Sequence, residues 1–171
     1  MTQNTHDDSA GQDLARRLAE LEALAAIRDA KARSVRAIDD SVSKAGAPDA
    51  VRAYITADYR WSAAPFGTTE NAAAHLEFLR QFRAKVSYTM QFLSGPVIDL
   101  DLAKGEATGK WALWQPLTVK GESWILMGHS EDRAVRDADS WLLAETRLDV
   151  EVLAPWQSNW GANPISARWN W

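Results

Sequence analysis

Few side chains in this sequence combine a reactive type with a telling position. Asp39 and Asp40 close the stretch AIRDAKARSVRAIDD, whose apolar residues recur at helical spacing. Asp39 lies four residues after Val35, about 40° round a helix from it, and Asp40 lies about a further 100° round. Asp39 therefore flanks the apolar stripe, and Asp40 is expected to face water. Acids at a helix C-terminus oppose the helix dipole, which favours cations there, a hint that Asp39 serves another purpose. Burial beside Val35 and Ile38 would raise its pKa and suit it to proton transfer near neutrality. A partner for general acid–base work is sought among the three histidines. His129 falls in a predicted central strand and shares a face with Met127 and Glu131; that face is either the cavity or the outer surface. His75 sits on a predicted helix with no second histidine at i+4, and is read as packing. Tyr54 and Tyr59 are candidate donors to a developing oxyanion, or edges of the core. Trp61, Trp111 and Trp114 can stack on a flat ligand or simply pack. Arg147 and Glu145 share a strand face with Leu143 and Asp149, either as a polar pocket wall or as a solvated face with cross-strand pairs.

Other chemistries find little support. The sequence has no cysteine, so disulfides, thiolate nucleophiles and Cys-ligated zinc are excluded. Gly-x-Gly-x-x-Gly, P-loop, His-x-x-x-His and Gly-x-Ser-x-Gly patterns are absent. No cofactor and no metal are therefore expected. The net charge of −4 gives no basic footprint for nucleic acid, and no apolar run approaches a membrane span. The polar start MTQNTHDDSAGQD lacks the basic and apolar segments of a secretory signal, so a cytoplasmic protein is expected.

These residues need elements to hold them. Residues 1–11 are expected to be disordered. A helix, or two joined with a bend, is predicted from about residues 11–13, with Asp13 as cap, to about Ser43. Its stripe reads Leu14, Leu18, Leu21, Leu24 and Ala25, then Ile27, Lys31, Val35 and Ile38. KAGAPDA is a turn before a short helix, Ala50–Thr56. A strand Tyr59–Ala64, a loop PFGTTE and a helix Glu70–Phe82, capped by Thr68 or Thr69, follow. Period-two alternation then predicts strands at about Val86–Leu93, Val97–Asp101, Glu106–Leu117, Glu122–Arg133 and Trp141–Leu153. Residues 12–155 form one α+β domain, a cone-shaped barrel in which a curved antiparallel sheet wraps round the N-terminal helices. Such a cone encloses a hole suited to a small molecule. The Trp-rich tail, residues 156–171, is expected to pack on the domain or on a neighbouring subunit.

Several segments resemble the SnoaL-like group of the nuclear transport factor 2-like superfamily, which includes scytalone dehydratase and bile acid 7α-dehydratase. LEALAAIRDAKARSVRAIDD resembles the first helix of that group, and GTTENAAAHLEFL the third. GEATGKWALW resembles a strand motif with Ala-Thr-Gly before Trp, and GHSEDRAVRDADSWLL the last hairpin. The likeness covers roughly residues 13–155. It implies a catalytic aspartate at Asp39. The group's tyrosine five residues earlier falls at Ser34. Its strand histidine falls at Gln91, or at Met90 if the register slips by one. A late carboxylate falls near Gln115, and the hairpin tyrosine at Ser130. The resemblance implies a cofactor-independent lyase or isomerase, dehydratase-like or formaldehyde-releasing, acting by proton abstraction on a cyclic or aromatic small molecule. Asp39 would be the acid or base, His129 or Gln91 its partner, and Tyr54, Tyr59, Trp61, Trp111, Gln115 and Arg147 would contact substrate. The alternative is a non-catalytic binding or oligomerisation module of the same fold. A homo-oligomer, dimer or trimer, is expected in either case.

Overall fold

The computed structural model describes residues 4–156 apart from positions 45 and 65. Its first element, α1, runs unbroken through Asn4–Ser43. At 1.5 Å per residue it is a rod about 60 Å long. Residues 4–11, expected to be disordered, belong to it, and the helix start expected at residues 11–13 is corrected accordingly.

The single apolar stripe expected along α1 is in fact two stripes on opposite sides. At 100° per residue, Leu14, Leu18 and Leu21 cluster about half a turn away from Ala23, Ile27, Ala30 and Ser34. The second set is buried, whereas Leu14, Leu18 and Leu21 are 66%, 54% and 64% exposed. The pattern changes face at Leu24, so only the later part of the helix is clasped by the sheet.

Lys31 lies on the clasped side and is buried. Its ammonium donates to Asp132 Oδ1 and Ser130 Oγ, each at 2.8 Å. Thr146 donates to the same carboxylate oxygen at 2.7 Å. Asp132 Oδ2 is buried without a partner. This ion pair ties α1 to two central strands where plain apolar packing was expected.

A 3-10 helix, Pro48–Tyr54, replaces the predicted short α-helix, with Pro48 fixing its first turn. Then come β1 (Ile55–Ala63), a short β2 (Gly67–Thr69) in the expected loop, and α2 (Ala72–Arg83). Asn71 caps α2, accepting from the Ala74 amide at 2.9 Å, in place of the expected threonines. The remaining strands are β3 (Val86–Thr89), β4 (Phe92–Asp101), β5 (Glu106–Val119), β6 (Glu122–Asp137) and β7 (Ser140–Pro155).

The sheet order is β2-β1-β7-β6-β5-β3, and β4 also pairs with β5. The pairing of β1 with β7 is parallel and the rest are antiparallel, so the expected antiparallel sheet is mixed. The sheet curls round the helices as a half-barrel in the cone-shaped α+β form. The predicted strand Val86–Leu93 is broken by a short step at Met90 and Gln91, on either side of which Thr89–Leu117 and Phe92–Trp114 keep one register against β5. Gln91 falls in the step, where its amide is free of the ladder. A register shift separates Met127 from Gly128 against β7. A Cβ at Gly128 would lie 1.9 Å from the Asp149 carbonyl oxygen, so the backbones approach there as only glycine allows.

Two apolar clusters fill the interior, one around Ile27, Val51, Ile55, Leu76 and Leu143, the other around Val42, Val86, Leu113 and Leu126. No helix among the described residues is long and apolar enough to cross a membrane. The tail beyond Trp156 lies outside the described residues. Trp156 itself donates its amide to the Ser123 carbonyl at 2.7 Å.

Candidate functional site

Asp39 lies in the last two turns of α1 and is 5% exposed. The gap between β3 and β4 supplies its partner. The Gln91 amide donates to Oδ2 at 2.9 Å, and the Gln91 side chain reaches Oδ1 at 3.4 Å. Burial pushes the carboxyl up to about 6, against the opposing pull of the Gln91 hydrogen bonds and of Arg36. Asp40, as expected of it, is the more exposed of the pair, and it bonds Lys44 at 3.1 Å.

A partly enclosed cavity begins on the other side of Gln91. Trp61, Phe66, Phe78 and Phe82 form its aromatic wall, and Leu117, Leu126 and Leu148 its aliphatic side. Its polar lining is His75, Gln91 and Gln115. Gln115 is buried and donates to Thr89 Oγ1 at 2.7 Å, which leaves its carbonyl oxygen as an acceptor. The cavity volume is about 50 Å³. An apolar cavity of about 150 Å³ takes a benzene ring, so a ring-bearing ligand requires the aromatic wall to part. Asp39 does not line the cavity; Gln91 stands between.

His75 is the residue that sequence reasoning set aside. It is 1% exposed, and burial pushes it down to about 4, so it is neutral at neutral pH. Its Nδ1 lies 3.5 Å from Thr69 Oγ1, while Nε2 is buried without a partner. Tyr59 meets the ring edge-on at 5.1 Å between centroids, and Trp61 lies at 5.6 Å. The signal was its place three residues after Ala72 and four before Leu79, on the buried face of α2.

The structure places the other candidates away from this cavity. Ser130 and Asp132 point inward to Lys31, so strand alternation turns His129 and Glu131 outward. His129 Nδ1 pairs with Glu151 at 2.8 Å there, which corrects its assignment as Asp39's partner. Arg147 pairs with Glu131 on the same outer face, where Lys110 joins at 3.1 Å. These are cross-strand pairs on an exposed face, where Glu145 and Arg147 line an open outer groove with Glu131 and Lys110, separate from the inner cavity. Tyr59 is a core residue: its hydroxyl bonds Thr146, and burial pushes its pKa up. Tyr54 lines a shallow groove with Arg33 and Arg36 on the other side of α1. Trp111 is buried beside Gly109, whose added Cβ would lie 3.2 Å from the indole nitrogen. Trp114 faces outward and packs on Phe92 at 5.0 Å. Of the residues expected at the site, Asp39, Gln91, Trp61 and Gln115 are brought together.

Asp39 and His75 make opposite contributions to stability. Between about pH 4 and 6 the folded chain keeps a proton on Asp39 that the unfolded chain has lost. In the same window it lacks a proton on His75 that the unfolded chain holds. By linkage, rising pH destabilises the fold through Asp39 and stabilises it through His75, each by about 3 kcal/mol over its full shift. The two nearly cancel. Relative to the parent, Asp39→Asn is expected to lose stability as pH falls from 6 to 4, and His75→Phe to gain it. Urea unfolding across that window checks both slopes.

A family model described as SnoaL-like domain matches residues 19–147. No curated protein matches the chain in sequence. Among solved structures, a proposed aromatic ring hydroxylase of Novosphingobium aromaticivorans is similar at 19% identity and TM-score 0.71, covering 81% of this chain and 96% of that one. A proposed scytalone dehydratase of the same organism is similar at 18% identity and TM-score 0.71, with 81% and 90% covered. A hexachlorocyclohexane dehydrochlorinase, LinA-type3 of Novosphingobium barchaimii, is similar at 12% identity and TM-score 0.73, with 82% and 94% covered. At these identities the structures share the fold, and the family match settles the membership: this chain belongs to the SnoaL-like domain family.

Proposed function

We propose that this chain is a cofactor-independent lyase or isomerase that abstracts a proton from a small ring-bearing molecule, with Asp39 as the base. The observation that carries this reading is a buried carboxylate with its pKa raised to about 6, held one residue behind a mostly apolar cavity. Above that pH the carboxylate is ionised and only partly solvated, the state a general base needs. The Gln91 amide fixes Oδ2, while the 3.4 Å side-chain contact is the weaker hold on Oδ1. Turning the Gln91 side chain therefore bares Oδ1 toward the cavity. Oδ1 takes a proton from the carbon next to an activating group. The C–H electrons form a new double bond while the leaving group departs with its own bonding pair, or the double bond shifts and Asp39 returns the proton. An amide neither takes nor gives a proton near neutrality, so Gln91 orients and Asp39 alone transfers. Two of the similar structures bear names that denote elimination, a dehydratase and a dehydrochlorinase, which supports the lyase class. The test is a panel of cyclic alcohols and halides, monitored for ultraviolet absorbance of a new double bond and for halide release. Product with the parent chain and none with Asp39→Asn is the expected result.

One observation favours a second reading, a non-catalytic binding module: among the described residues, no charged side chain lines the cavity directly. Ring binding by the parent chain without turnover anywhere in the panel would favour it over the first.

Both readings require the aromatic wall to open. Phe78 packs between Trp61 at 4.6 Å and Phe82 at 5.9 Å. Phe78→Ala is expected to tighten ring binding, read by calorimetry with indole as probe. Its cost in stability is about 2–3 kcal/mol, below that of a fully buried phenylalanine.

A further inference from the structure

The exposed apolar face of α1 has the pattern of an association seam. Leu14, Leu18, Leu21 and Ala25 are all exposed, and their spacing of four, three and four residues is the d-a-d-a of a heptad. Gly11 and Arg28 occupy the next core positions on either side, so the seam is bounded. Arg17 then falls at g and Glu22 at e. In a parallel, in-register pair each g residue faces the e residue five positions on in its partner. Arg17 of each chain would meet Glu22 of the other, twice by symmetry. An antiparallel pair with Leu14 against Ala25 would set Arg17 beside Leu24 and Glu22 beside Ala15, so neither charge would meet an opposite one. Arg16 is engaged within its own helix by Asp13 and Glu20, whereas Arg17 and Glu22 are exposed and unpaired among the described residues. The seam lies on the side of α1 away from the clasped face, so the two domains would hang on the far sides of the pair. The helix is already formed as part of α1, so association carries no nucleation cost.

We propose that this seam is a self-association surface, on which a second copy of the chain packs its own Leu14–Ala25 segment in parallel. Because the chain has no cysteine, single-cysteine variants of the full chain report the geometry directly. A disulfide needs Cα atoms within about 7 Å, which a parallel seam gives to identical positions. Leu14→Cys and Leu21→Cys are expected to form disulfide dimers on mild oxidation on the order of tenfold faster than Arg16→Cys on the opposite face, because a docked pair raises the local thiol concentration. Arg17→Glu should slow the reaction of Leu21→Cys, and adding Glu22→Arg should restore it. All these positions are exposed, so folding is not at stake. Equal rates at positions 14, 16 and 21 overturn the proposal. So does preferential cross-linking of a Leu14→Cys chain to an Ala25→Cys chain, which marks the antiparallel pair.

Discussion

Asp39→Asn is expected to lower turnover on the order of 10²–10⁴-fold, the usual weight of a general base, while ring binding is kept. The asparagine carbonyl oxygen can still accept from the Gln91 amide, so the joint between α1 and the step before β4 stays closed. What is lost is, among the described residues, the group beside the cavity wall whose pKa lies near neutrality. The parent chain should show kcat/KM rising with pH to a plateau above about 6, the point to which burial lifts this carboxyl. A profile measured from pH 4.5 to 8 on whichever panel compound turns over checks the limb. Turnover in the asparagine variant near the parent level, or a profile with no acidic limb, rejects Asp39 as the base.

The second large effect concerns stability. Asp132→Leu is expected to cost about 3–5 kcal/mol, because it strands the Lys31 ammonium in the interior. Ser130 Oγ remains within 2.8 Å of Lys31 but carries no charge. Adding Lys31→Met should recover most of the loss, since a buried ion pair replaced by apolar groups of similar volume is often neutral. Urea unfolding of both singles and the double variant measures the coupling. If the double variant is as unstable as the single, the pair is not what joins the helix to the sheet.

The parts of the structure that local rules govern were legible in the residues. Alternation gave the long strands β5, β6 and β7 to within a few residues, and Ala138, at a turn φ of +51°, sits between the strands expected to end near Arg133 and to begin at Trp141. The 3.6-residue turn separated Asp39 from Asp40. What local rules do not carry was missed. Alternation groups His129 with Glu131 but is silent on which face turns inward; the contact from Lys31, about a hundred residues earlier in the chain, decides that. The parallel pairing of β1 with β7 is equally non-local. The leucines of α1 satisfied helical spacing at every step, yet successive steps of three and four residues let the stripe drift to the opposite side. His75 was discounted for lacking a second histidine, a criterion for metal ligands that does not apply to a lone ring beside a cavity.

The bulge of β7 opposite Gly128 divides the inner face of the barrel. Along the inner face of β6, Leu126 borders the cavity, Gly128 leaves a bare backbone, and Ser130 and Asp132 meet Lys31. The concave surface thus grades from oily to ionic along a single strand. At its ionic end a carboxylate has a cation for company and serves as a fastener. Near its oily end a carboxylate is held by Gln91, and burial lifts its pKa to about 6. A side chain at position 128 would prise β6 from β7 at the boundary, and both ends would feel it at once.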